Sequence, residues 1–158
     1  SDLLEIEGIG CAKACEIMAC FELGRRYLVD DGVAGQRVLS PEDVLPTVAE
    51  WRSKKQEYFI CITLNGAGEV IERRVITVGI LNQSLVHPRE VFADAITDRA
   101  ASVILVHNHP SGSLEPSTQD LGITRQLVEA GSILGIRVLD HIIVTKNGYA
   151  SLKELGHL

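Results

Sequence analysis

Apolar and polar positions along the 158 residues fall into runs and alternations that predict the elements. The stretch Ser102-Val103-Ile104-Leu105-Val106 reads as a buried strand and runs directly into His107-Asn108-His109-Pro110-Ser111-Gly112. Residues two apart on a strand point the same way, so His107 and His109 present their rings together. Pro110 and Gly112 stop that strand. Pro116 and Ser117 start a helix that holds Asp120 in its first turn, runs to about Leu134 and is capped by Gly135. Ile136 to Thr145 forms another strand, and Asn147-Gly148 makes the last turn.

Upstream, Ser40-Pro41-Glu42-Asp43 marks a helix start, with Ser40 as N-cap, Pro41 first in the helix and Asp43 closing a capping box; this helix should reach about Trp51. Glu57 through Leu64 alternates as a strand, Asn65-Gly66-Ala67-Gly68 is a hairpin turn, and Glu69 to Ile80 returns with Ile71, Arg73, Val75 and Thr77 on one side. A further helix starts near Pro88 and ends by Arg99. Strands dominate the middle and helices punctuate them, which predicts an α/β domain with a mixed sheet. At the other end, Leu3 to Ala14 resembles the hairpin of a helix-hairpin-helix module: Gly8-Ile9-Gly10 turns into a helix that continues through Arg26. Asp30 to Gly35 reads as a flexible linker. The expected organisation is therefore a partial helix-hairpin-helix segment at 1–30, a linker at 31–36 and one larger domain at 37–158.

Composition narrows the function classes. With 46% hydrophobic and 23% charged residues, the chain can bury one sizeable core and carry a small appendage. A net charge of −6 argues against coating nucleic acid through bulk electrostatics, though it leaves room for one local phosphate contact. Residues 1–37 hold four basic against seven acidic side chains, so the Gly8–Gly10 turn, whose free N–H groups suit a phosphate, should grip DNA weakly. A structural or protein-docking role for these glycines is the competing reading. Cys11, Cys15, Cys20 and Cys61 lack the spacing of a disulfide framework or a zinc knuckle and read as small buried thiols. No apolar run reaches the roughly 18 residues of a membrane span. Ser1 opens no signal peptide and the initiator Met is absent, as in a fragment or processed chain; a soluble cytoplasmic protein is the default expectation, with oligomeric state left open.

Two histidines and one carboxylate on rigid elements that meet at a turn suit a zinc ion with a position left for water. Two structural readings compete. The histidines can be an ordinary hydrogen-bonded pair at a strand end. Ser117-Thr118-Gln119-Asp120 also fits a capping box in which Asp120 folds back on the Ser117 N–H. The second does not exclude a ligand role, because a carboxylate has two oxygens.

His107-x-His109-Pro110, followed by Ser117 and Asp120 three apart, resembles the metal-binding signature of the JAMM (MPN) metalloproteases. The wording HNHPSG with PSTQD is closer still to the RadC family, bacterial JAMM-domain proteins named for DNA repair. The similarity continues in Val86-His87-Pro88-Arg89-Glu90-Val91-Phe92, in Leu139-Asp140-His141-Ile142-Ile143-Val144 and in Tyr149-Ala150-Ser151, and so covers the chain from about Arg37 onward. The resemblance implies a JAMM/MPN-like (cytidine-deaminase-like) mixed sheet flanked by helices, and a Zn2+ cofactor held by His107, His109 and Asp120. It also implies a glutamate ahead of the motif as general base and acid, a place that Glu57 fills at the start of a strand, and a serine, here Ser117, that stabilises the oxyanion. Glu90 rivals Glu57, but it stands third in a helix that begins with Pro88, where an acid serves the helix end. Asp140 and His141 face opposite ways on their strand, so one of them can partner a ligand histidine, with a satisfied polar pair in the sheet as the competing reading, and both are left out of the site; Arg73 and Arg74 are read as solvated charges. The implied activity is cleavage of a peptide or isopeptide bond in a protein or peptide substrate. The alternative is a DNA-associated RadC-type module with a different activity and a weak DNA contact through the N-terminal hairpin.

Overall fold

The computed structural model describes residues 6, 8–28, 33–79 and 86–158. Two compact units divide the chain, residues 1–32 and 33–158. In the first, Ile9 N–H closes a turn on the Ile6 carbonyl, Gly8 takes a φ of 87°, and helix α1 runs from Cys11 to Leu28. The rest of the expected hairpin, residues 1–5, 7, 29 and 30, lies outside the described residues.

Cys11, Cys15 and Cys20 are exposed, which corrects their reading as buried thiols; only Cys61 is enclosed. A single helix cannot enclose its own side chains, and among the described residues of α1 only Ala14 is buried. Among the described residues no helix is long and apolar enough to cross a membrane.

The second unit is a five-stranded sheet. In chain order its elements are α2 (Pro41–Val44), a 3-10 turn (Pro46–Val48), β1 (Tyr58–Leu64), β2 (Val70–Val78), α3 (Pro88–Thr97), β3 (Ser102–Asn108), α4 (Thr118–Leu134), β4 (Arg137–Val144) and β5 (Tyr149–Ser151). Across the sheet the order is β2-β1-β3-β4-β5; only the β3–β4 pair is parallel. A parallel pair needs a crossover, and α4 supplies it. This is the mixed α/β architecture that the sequence predicted.

Both faces of the sheet are covered, which explains why β3 is buried at every position. On one face Phe59, Cys61, Val103 and Leu105 pack with Val91 and Phe92 of α3 and Ile123 and Leu127 of α4. On the other, Ile60, Ile62, Ile104 and Val106 pack with Val44, Val48 and Trp51. Gly131 of α4 leaves no room for a side chain: a Cβ there would strike the Ile136 carbonyl and the Phe92 ring.

Three expectations are corrected. The helix from Ser40 does not reach Trp51: it ends at Val44, because Pro46 lacks the N–H that the ladder requires, and the chain continues as a 3-10 turn. Asp43 still accepts from the N–H groups of Ser40 and Leu39, as a helix-start residue should. Ile71, Arg73, Val75 and Thr77 do not share one side. Register breaks leave Ile71 and Ile76 without partners on β1, and each break reverses the alternation. Arg73 and Arg74 are not simply solvated. Arg73 lies against the Trp51 ring, 4.9 Å from its centroid, and bonds the Thr47 carbonyl and Glu50. Arg74, on the opposite face, pairs with both oxygens of Asp98. The segment from Gly35 to Val38 is also tied down, since Gly35 and Val38 donate to the Val70 and Gly68 carbonyls.

The Arg74 hydrogen bonds hold the Asp98 carboxyl below the usual carboxylate range, against the opposing pull of burial, with help from the Thr63 hydroxyl at 2.7 Å. A depressed folded value stabilises the protein above the unfolded value, about 3.9 for aspartate, and that stabilisation is lost as pH falls through the folded value. Asp98→Asn should therefore lower Tm at pH 7, and the gap to wild type should close below about pH 4. Thermal melts across that range check it; an unchanging gap would show that the charge is not the stabilising element.

Candidate metal centre

Strand β3 carries His107 and Asn108, and His109 follows as its N–H bonds the Val144 carbonyl at 3.0 Å. His107 is fully buried; the His109 side chain stands at the rim, 10% exposed. As strand alternation predicts, both imidazoles face one side, with their Nε2 atoms 2.8 Å apart. Asp120, in the first turn of α4, closes the group from the helix: its Oδ1 lies 3.3 Å from His107 Nε2 and its Oδ2 lies 3.5 Å from His109 Nε2. One ligand atom from each residue fits within a 4.8 Å cluster.

The capping box is also present. Ser117 N–H donates to Asp120 Oδ2 at 2.7 Å, and Asp120 N–H donates to Ser117 Oγ at 3.2 Å. The two readings of Asp120 coexist because the cap occupies one oxygen and leaves Oδ1 for the cluster.

The donor set fits a divalent cation. His109 Nδ1 donates to the Ser113 carbonyl at 2.8 Å, so Nε2 is the atom it offers to the cluster. Two ring nitrogens and a carboxylate then meet in a buried place, and only a proton or a cation between them makes the contact favourable. The electrostatics agree. Burial pushes Asp120 upward, but the His109 hydrogen bond, His107 and the Ser117 groups outweigh it and hold the carboxyl far below its usual range. His109 is raised by its hydrogen bond to Asp120, against burial, with the Ser113 carbonyl assisting. Burial drives His107 well below an ordinary histidine and lowers His141 to about 4. A neutral His107 beside an ionised Asp120 is in the state that metal ligation requires, whereas His109 holds its proton more tightly and must release it for a cation to bind.

Glu57, immediately before β1, lines the same cavity as His109, Asp120 and Ser117. Its neighbours are fastened by Asn108, whose Oδ1 accepts from Tyr58 N–H at 2.7 Å and whose Nδ2 donates to the Gln56 carbonyl at 2.9 Å. The Glu57 carbonyl in turn accepts from Gly79 N–H at 2.9 Å. Glu90 is elsewhere: it pairs with Arg89 at 2.9 Å on the exposed first turn of α3, where His87 is the N-cap, and it does not line this cavity.

Three residues near the centre were not assigned to it by sequence reasoning. Asn108 is one. The others are His141, whose Nε2 lies 2.8 Å from His107 Nδ1, and Thr124, 2.6 Å from His141 Nδ1. His141 does face away from Asp140, as read, but towards His107. The signals were present: Thr124 follows Asp120 by one helical turn, and an asparagine in a buried strand must find partners. Asn108→Ala would leave the Tyr58 N–H and the Gln56 carbonyl without those partners. It should cost about 1–3 kcal/mol, or several degrees of Tm, while the cluster of His107, His109 and Asp120 still binds metal. Calorimetry with metal analysis checks this, and an unchanged Tm would refute the fastening role.

A family model for the RadC-like JAB domain matches residues 38–157. A UPF0758 protein of Methanospirillum hungatei JF-1 is 56% identical over 158 residues, covering 99% of this chain and 70% of that protein. UPF0758 proteins of Bacillus cereus B4264 and Bacillus mycoides KBAB4 are each 48% identical over the same shares.

Proposed function

The chain belongs to the RadC-like JAB domain family, and from that premise we propose that it is a zinc-dependent hydrolase of JAMM type that cleaves a peptide or isopeptide bond. The observation that carries the reading is the convergence of His107, His109 and Asp120 on one point, at a cavity that His109 and Asp120 line together with Glu57 and Ser117. A donor set of two imidazoles and one carboxylate suits zinc. His107 and His109 offer Nε2 and Asp120 offers Oδ1. Zinc, when bound, supplies Lewis-acid activation of water and of the substrate carbonyl.

Glu57 is the group that takes a proton from the attacking water and returns it to the leaving nitrogen. Ser117 Oγ accepts from the Asp120 N–H, which leaves its own hydrogen to donate to the carbonyl oxygen as negative charge develops there. The rim supports an amide substrate over a phosphodiester. Beside Glu57 it presents Ser111, Ser113, Glu115 and Gln119, and no lysine or arginine is among its described residues. Beyond the metal itself, an anionic backbone would meet carboxylates and no basic side chain, whereas a neutral amide or a lysine amine meets no such penalty. Zinc-loaded protein should cleave members of a peptide and isopeptide library, and a chelator should abolish that cleavage. Cleavage of DNA with no peptide product would overturn the reading.

A further inference from the structure

Resting on that metal reading, we propose that Thr124 and His141 are positioning residues that hold His107 in the tautomer whose bare Nε2 faces the metal. The argument starts from a group that can only accept. The Asp120 backbone carbonyl receives the Thr124 hydroxyl at 2.6 Å, and that hydroxyl has a single hydrogen. Thr124 Oγ, also 2.6 Å from His141 Nδ1, must therefore be the acceptor there, with the hydrogen on His141 Nδ1. His141 Nε2 is then bare, and 2.8 Å away His107 Nδ1 must donate to it. What remains on His107 is Nε2 without a hydrogen, turned to His109 and Asp120.

The opposite arrangement is costly. A hydrogen on His141 Nε2 would put two lone pairs against each other at the Thr124 contact, and it would force the His107 hydrogen onto Nε2, into the ligand cluster. Water cannot repair this, because His107 and His141 are fully buried and Thr124 is 1% exposed. The rings cannot turn over freely either: Phe59 stacks along His107 and makes a T-shaped contact with His141. The helix turn that supplies a ligand through Asp120 thus also dictates, through Thr124, which nitrogen β3 presents. Supporting groups of this kind typically change metal affinity 10- to 100-fold when removed.

Two measurements on the full chain test it. In the metal-free wild type at pH 8, 15N ring resonances should report His107 and His141 as Nδ1–H tautomers. Chelator competition with zinc alone should show Thr124→Val binding roughly 10- to 100-fold more weakly, with Thr124→Ser close to wild type. A His107 Nε2–H tautomer in the wild type, or Thr124→Val binding zinc as tightly as wild type, would overturn the proposal. The ring spectrum needs no variant, so it decides even where Thr124→Val fails to fold. A wild type that binds no zinc refutes the metal reading instead, and the spectrum still decides the tautomer.

Discussion

Glu57→Gln protein is expected to fold, to keep its metal and to lose about 10²-fold or more in turnover on the best peptide found by library screening. The magnitude follows from the chemistry of the change. Glutamine keeps the shape and hydrogen-bonding capacity of glutamate but has no basic oxygen to take a proton from water. Folding should be spared because the local structure depends on the backbone: Asn108 holds both neighbours of Glu57, and Gly79 holds its carbonyl. The effect should fall on kcat and kcat/KM together, as for a group that acts only in the transition state. Glu90→Gln is the internal control. It alters an exposed helix start and should cost up to about 1 kcal/mol of stability with turnover preserved. Turnover lost in Glu90→Gln but kept in Glu57→Gln would reverse the assignment.

Wild-type protein isolated without chelator should carry about one zinc per chain, and His109→Ala should lose it. Of the three proposed ligands His109 is the cleanest to remove. His107 is packed under Phe59 in the core, so its loss leaves a cavity. Asp120→Ala would also remove the side-chain half of the capping box of α4, the bond that Ser117 N–H donates to Oδ2. His109 stands at the rim and reaches inward only through its ring. Loss of a direct ligand should weaken binding by more than the roughly 10- to 100-fold that follows from losing a supporting group. Acid should act in the same direction. The His109 value is raised, so protons compete for its Nε2 at a higher pH than for an ordinary histidine, and zinc affinity should fall as pH drops through that value. Metal analysis and competition at two pH values check both points; stoichiometric zinc in His109→Ala would remove that residue from the centre.

Much of the fold was legible because burial writes itself into short-range pattern. The unbroken run before His107 became β3, the Gly135 stop became a left-handed cap with φ 71°, and Asn65 to Gly68 became the turn between β1 and β2. The errors share a physical origin. Pro46 sits inside an otherwise helical pattern, and its missing N–H outweighed that pattern. The bulges at Ile71 and Ile76 come from how β2 fits β1, and no alternation within β2 announces them. Arg73 and Arg74 look like surface charges in a string of letters. They acquired partners only when the sheet brought Trp51 and Asp98 to opposite faces.

The candidate centre divides in the same way. By itself the sequence determined that His107 and His109 share a side and that Asp120 begins a helix, because strand and helix periods are local and rigid. It also determined the family, through a motif whose residues are close in the chain. Tertiary structure alone decided that Asp120 reaches both histidines, that Glu57 shares their cavity while Glu90 does not, and that His141 stands behind His107. Those contacts join β1, β3, α4 and β4 across long stretches of chain. Such distances close only when the sheet and its crossover helix pack, and no spacing between letters encodes which buried nitrogen will meet which.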